Sequence, residues 1–273
     1  MQALTDISRL SLNQRTTNGW NLREAADGCA RAGIPWIGLW RDKIAEIGLA
    51  ESVRIIRDSG LRVSSVCRGG MFPAGTVAER RARIDDNRRA IDEAAELRAE
   101  VLVLVCGPAP DRDIAAARTM VADAIAELLP YAAERGVTLG IEPLHPMFAA
   151  DRSVITTLGE ATTLAERFDS AHVGVVADVY HIWWDPDVYA QIARAGQRIV
   201  AFHVNDWIIP LPNMLLGRGM MGDGVIELRK LRAAVEATGY HGPIEVEIFN
   251  QAIWDAPGDA TLATMKQRYL EYV

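Results

Sequence analysis

Cysteine is scarce: 273 residues hold only Cys29, Cys67 and Cys106, far apart and with no CxxC pair. A reduced, cytoplasmic protein is the expectation, although three cysteines leave room for one disulfide. Positive charge is not in excess either. Lys and Arg number 29 against 36 Asp and Glu, a net charge of −7, which argues against a nucleic-acid surface. The densest basic run, Arg80-Arg81-Ala82-Arg83 with Arg88-Arg89, alternates with Asp85, Asp86, Asp92 and Glu93 and reads as a solvated helix face. No apolar run is long enough to span a membrane. The N-terminal MQALTDISRLSLNQ lacks the basic and apolar regions of a signal peptide. No Gly-rich phosphate loop follows the first strand, where NQRTTNGWN stands, so a nucleotide-binding fold is disfavoured.

What is present is alternation. Short β-branched runs near 7–13, 36–40, 62–67, 101–106, 137–142, 173–178, 199–205 and 244–249 read as strands. Helical segments are expected between them, near 22–33, 47–59, 79–98, 113–135, 159–168, 187–195, 227–238 and 259–271. In the helix at 113–135, Ile114, Ala117, Val121, Ile125, Leu128 and Ala132 recur every three or four residues, and Pro130 predicts a kink or an early end. Helices ending in glycine (ARAGI, RDSGL, AERGV, EATGY) suit the left-handed residue that follows a helix. With 49% apolar residues the chain can bury a full core. Eight strand–helix pairs without a linker predict one domain over 1–273, an α/β chain folded as a (β/α)8 TIM barrel.

Four residues fall where predicted strands end: Glu142 in VTLGIEP, Asp178 in VGVVADV, His203 in IVAFHVND and Glu247 in IEVEIF. Their separations of 36, 25 and 44 residues are each about one strand-plus-helix unit. A carboxylate in an apolar strand is costly unless it is paired or bound to a metal. Three carboxylates and one imidazole at one barrel end make a hard divalent-metal site. Glu245 faces the same way as Glu247 but lies further from the strand's end, and Asp206 is a reserve ligand.

The segments IEP at 141–143, DVYH at 178–181, FHVND at 202–206 and VEIFN at 246–250 resemble the sugar phosphate isomerase/epimerase superfamily, the xylose isomerase-like barrels. That resemblance implies Mn²⁺, Mg²⁺ or Co²⁺ held by Glu142, Asp178, His203 and Glu247, with His181 touching substrate. The chain also departs from the group. Ketose 3-epimerases carry a second glutamate six residues after the first ligand and an arginine six after the histidine; Phe148 and Ile209 stand there. Instead His145 follows Glu142 by three residues in EPLHP, and it is the candidate acid/base group.

The loop after the seventh strand, WIIPLPNMLLGRGMMGDG at 207–224, is oddly apolar. It can fold over the barrel rim, close as a lid, contact another subunit or wall an apolar part of the substrate. Trp183, Trp184 and Met71-Phe72-Pro73 would join the same rim, and Arg68 and Arg218 are the basic residues available for substrate binding. EPLHP together with WIGLWRDKI at 36–44 and SSVCRGGMFP at 64–73 resembles the larger subunit of bacterial C-glycoside deglycosidases. This implies Mn²⁺, a smaller β-rich partner subunit and cleavage of the carbon–carbon bond of 3-oxo-C-glycosides. A ketone at C3 acidifies the C2 hydrogen, His145 as base would remove it, and the enolate would expel the aglycone by β-elimination. Glu142 and Glu247 could also serve as acid/base groups. The rival reaction is isomerisation or epimerisation of a ketose or inosose through the same enolate, and a non-catalytic binding barrel is the remaining alternative.

Overall fold

The computed structural model describes residues 4–273; residues 1–3, part of the N-terminal stretch read above, lie outside the described residues. The strands in chain order are β1 (Leu10–Asn13), β2 (Trp36–Trp40), β3 (Arg62–Gly70), β4 (Val101–Val105), β5 (Leu139–Glu142), β6 (Val173–Asp178) and β7 (Ile199–Val204). After them come β8 (Asp206–Trp207), β9 (Arg218–Gly219) and β10 (Ile244–Val246). β1 to β7 and β10 run parallel and close into a barrel in which β10 lies between β7 and β1. β8 and β9 form a separate antiparallel pair inside the loop after β7. The (β/α)8 expectation is therefore met.

Strands buried on both faces read as near-continuous apolar runs, as VLVLV of β4 and VGVVAD of β6 do. Helices cover the outside. Asn21 with Glu24 and Thr76 with Glu79 form reciprocal capping boxes at two helix starts, satisfying backbone N–H groups that lack intrahelical acceptors. On the helix Val77–Glu96 the basic run is a charged outer face, with Arg81 and Arg88 on Asp85 and Arg89 on Asp86. Among the described residues no helix is long and apolar enough to cross a membrane. All three cysteines are free and buried.

Three boundaries differ from expectation. The helix predicted over 47–59 forms as Leu49–Ser59, and a further helix, Arg41–Ile47, precedes it, the two being separated at Gly48, whose φ of 84° interrupts a right-handed helix. The helix Ile114–Glu134 passes through Pro130 without ending. Its buried face of Val121, Ile125, Leu128 and Ala132 outweighs the proline penalty of about 3 kcal/mol. The last barrel strand stops at Val246 rather than 249: the Glu247 N–H still donates to Val204 O (3.2 Å), but that of Ile248 turns to Thr16 Oγ1 (3.0 Å).

Inside the barrel, beneath the strand ends, Glu245 is the polar hub. Its carboxylate accepts from Asn13 Nδ2 (2.6 Å), Ser64 Oγ (2.6 Å) and Ser65 Oγ (3.0 Å to each oxygen). Gly38 leaves it room, since a Cβ there would stand 2.1 Å from Glu245 Oε1. Gly38→Ala should therefore lower stability by about 1–3 kcal/mol, read as an earlier midpoint in urea or thermal unfolding. An unchanged midpoint would mean that Glu245 swings clear at no cost, and that its hydrogen bonds contribute little.

Candidate metal centre

The four strand-end residues converge. One ligand atom each from Glu142, Asp178, His203 and Glu247 lies within 4.8 Å of all the others, and all four side chains are buried. The barrel register does this directly: Asp178 on β6 pairs with His203 on β7, and His203 pairs with Glu245 on β10, which places Glu247 one pleat higher. Bonds of about 2.1 Å to an octahedral ion set neighbouring donors about 3 Å apart and opposite donors about 4.2 Å apart. A small contraction of the present cluster reaches that geometry.

His203 supplies the clearest sign. Both of its ring nitrogens are buried without a hydrogen-bond partner, with Nδ1 3.8 Å from Glu142 Oε1 and Nε2 3.8 Å from Glu245 Oε2. A buried imidazole bonded to nothing calls for a ligand, and a divalent cation among three carboxylates provides one. The residues present fit such an ion.

Arg218, from β9, enters the same cluster. Its Nη1 donates to Asp178 Oδ2 (2.9 Å) and Glu247 Oε2 (2.7 Å), while its guanidinium lies over the rings of Tyr180 and Phe249. Burial pushes Asp178 up, but Arg218, His181 and His203 more than offset it, so its carboxyl sits below the usual range. Burial, then the neighbouring Glu247 and Asp178, raise Glu142 well above its ordinary value. Burial also raises Glu247, against the pull of Arg218. Glu142 accepts no hydrogen bond among the described residues, and Glu247 is tied by Arg218 and Asn13.

His181 is buried in the short helix Val179–Ile182, and burial, only partly opposed by Asp178, pushes it down to about 3, so it is neutral. Its Nδ1 accepts the backbone N–H of His145 (3.0 Å), tying the EPLHP loop to the centre. His145 is half-buried and caps the turn Pro146–Phe148, where its Nδ1 accepts from Met147 N (3.2 Å). A neutral ring with that bond carries its proton on Nε2. Its centroid lies 5.4 Å from that of Trp184 and 5.1 Å from that of Trp207, and Trp183 packs on Trp207 at 5.4 Å, giving one wall of aromatic rings. Arg68 lies beside Cys67 and Met71, lining a cavity of about 430 Å³ with Arg15, Trp40 and Arg41.

The apolar loop divides its roles. Trp207, Met220 and Met221 fold onto the barrel, whereas Ile209 and Met214 are exposed at the tip (63% and 49%). Asp206 is not with the ligands: its Oδ1 accepts from Trp207 N and Ile226 N and its Oδ2 from Gly222 N, stitching the loop's two ends together. Sequence reasoning missed Asn13, Asn205 and Arg152. Asn205 Nδ2 donates to Asp178 Oδ1 (3.1 Å), and its place in FHVND, two residues after His203, is the signal that marks it.

Arg218 sets up a test of how charge is balanced. Its removal leaves Asp178 and Glu247 buried without their cation. Metal-free Arg218→Met should lose about 3–5 kcal/mol of stability, and a divalent cation should restore most of it. Thermal unfolding with EDTA and with Mn²⁺ measures both values. An equal loss under the two conditions would show that Arg218 is a structural tie unrelated to the ion.

Comparison with known proteins agrees with the geometry. A Sinorhizobium meliloti protein, SMc04130, of known structure is 50% identical, superposes with a TM-score of 0.96, and is matched over 98% of this chain and 99% of its own. A 3-dehydroshikimate dehydratase of Pseudomonas aeruginosa is 30% identical over 186 residues, 65% of this chain. The chain spans only 28% of that dehydratase's length and 37% of its Pseudomonas putida counterpart's. The L-ribulose-5-phosphate 3-epimerase UlaE of Escherichia coli is 24% identical over 217 residues, 77% of this chain and 73% of that enzyme. The family described as xylose isomerase-like TIM barrel matches residues 26–269, and the chain belongs to it.

Proposed function

We propose that the protein is a metal-dependent enzyme that removes the proton beside a ketone and eliminates a group from the next carbon. The observation that carries this reading is the pairing of an unbonded, buried His203 with three converging carboxylates under an aromatic wall. A divalent cation held by Glu142, Asp178, His203 and Glu247 would polarise the ketone oxygen and make the neighbouring C–H acidic; Mn²⁺ is our first expectation, with Mg²⁺ or Co²⁺ equally suited to the donors.

Within that frame the side chains take separate parts. Glu142, whose carboxylate is held by no hydrogen bond, takes the proton from carbon and returns it to the departing atom on the same face, so that the step balances without an outside acid. Glu247 is fixed by Arg218 and Asn13 and serves as a positioned ligand. His145, expected from the sequence as the base, holds its proton on Nε2 in this arrangement and is better suited to donate a hydrogen bond to the substrate.

For the bond broken, our finer reading is the C–C bond of a 3-oxo-C-glycoside. The rings of Trp207, Trp183 and Trp184 suit a flat aromatic aglycone. The dehydratase relatives support an elimination, and the epimerase relative supports the rival outcome, reprotonation of carbon. Against epimerisation, Phe148 stands where the ketose 3-epimerases carry a further glutamate, and it is buried in an apolar cluster with Val105, Leu144 and Tyr180. The exposed Ile209 and Met214 are where we place contact with a smaller β-rich subunit in a hetero-oligomer, and the three buried free thiols suit the reducing cytoplasm.

The test is incubation of Mn²⁺-loaded protein with a 3-oxo-C-glycoside, with 3-dehydroshikimate and with a plain ketose in D₂O. Release of aglycone or water is expected. Glu142→Gln should abolish it, and His145→Ala should slow it by about 10²-fold or more while metal content is kept. Solvent deuterium appearing in a recovered ketose with no elimination from the other two would make the enzyme an epimerase.

A further inference from the structure

Two arginines at the barrel mouth have no carboxylate of their own. Arg68 is half-buried and makes no hydrogen bond or ion pair among the described residues. The acids beside it are engaged elsewhere: Asp42 with Arg15 (2.9 Å to each oxygen), Asp86 and Glu93 with Arg41 (2.8 and 2.6 Å). Arg152 lies 5.5 Å from the Phe148 ring, and its Nε is buried with no partner. Asp151, its chain neighbour, is exposed and makes no contact-distance ion pair with it, acting on it only as a nearby charge.

The two arginines belong to one place. Arg152 O accepts the N–H of Gly107 (3.0 Å), and Gly107 packs so closely on Met71 that a Cβ would meet Met71 Cα at 2.9 Å. Met71 is three residues beyond Arg68. Burial holds the Arg152 guanidinium below its ordinary range, opposed by the charge of Asp151 and helped by repulsion from Arg68 and Arg218. Inward from Arg152, the Phe148 ring reaches His181 at 5.9 Å, and His181 Nε2 lies 3.7 Å from Asp178 Oδ2. Positive charge kept together and partly desolvated, with one exposed acid as its only neighbouring counter-charge, costs free energy that a bound anion offsets with charge-assisted hydrogen bonds.

We propose that Arg68 and Arg152 form an anion subsite at the mouth, so that the substrate carries a carboxylate or a phosphate as well as its ketone. The subsite deepens the enolising reading and rests on it for the ketone. The subsite would add recognition of a charged end to the flat surface that the aromatic rings offer.

Binding without turnover tests it. Tryptophan fluorescence and calorimetry on Mn²⁺-loaded protein compare shikimate with its methyl ester, and glucose 6-phosphate with glucose, at fixed ionic strength. The charged member of one pair should bind at least about ten-fold tighter, and the pair that shows it separates carboxylate from phosphate. Arg68→Gln and Arg152→Gln should each reduce that preference, and the double variant should erase it at unchanged metal content. No preference in either pair overturns the subsite, as does a preference that survives the double variant, because the anion would then sit on the metal. Elimination from a neutral ketone without anion preference leaves the enolising reading standing alone; preference without elimination or deuterium exchange leaves only the subsite.

Discussion

The structure depends on holding four carboxylates out of water at one end of a barrel. Glu142, Asp178, Glu245 and Glu247 are each at most 4% exposed. Ionised together they repel one another, and their desolvation costs more than any single packing contact returns. Three devices offset this. Glu245 is neutralised in effect by two serine hydroxyls and an asparagine; Asp178 and Glu247 share one guanidinium; and Glu142 with His203 is left for a cation. The rigid ladder of β6, β7 and β10 supplies the positions, and the long loop after β7 delivers Arg218 to them. Loop and metal centre are thereby one electrostatic unit.

That coupling explains why so apolar a loop is ordered near its base. Asp206 holds its two ends by backbone hydrogen bonds, and Tyr180 Oη donates to Met214 O (3.0 Å) near the tip. Trp207 then lies against His145, Tyr180 and Trp183, so the group nearest the chemistry is packed by the same segment that brings the cation. A change in the loop is therefore felt at the ligands without touching them.

Much of this was legible in the sequence, for definite reasons. A barrel strand buried on both faces tolerates a charge only at its end, so Glu142, Asp178, His203 and Glu247 stood out against apolar runs. Strand alternation also put Glu245 and Glu247 on one side, and the fold uses both, one as a hub and one as a ligand. Arg218 was visible only as an available cation, because nothing local reveals that a residue on a loop turns back 29 positions short of Glu247 to meet it. Arg152 gave no signal, since its importance lies in the lack of an acid paired with it in space. His145 was found by its place after Glu142, but its proton location depends on the Met147 N–H and needed coordinates.

A cation held by a carboxylate–histidine centre of this kind would stabilise an enolate whatever followed, so the centre alone would not select between expelling a group and returning a proton to carbon. Selection has to come from groups that hold the rest of the substrate. The mouth offers the rings of Trp183, Trp184 and Trp207 around His145, and the guanidinium of Arg152 over the Phe148 ring. Epimerisation needs an acid/base group on each face of one carbon, which Glu142 and Glu247 could supply, but Phe148 and its apolar cluster replace the further glutamate of the ketose 3-epimerases. A single proton carrier on one face can still take a proton from one carbon and deliver it to a leaving atom on the next.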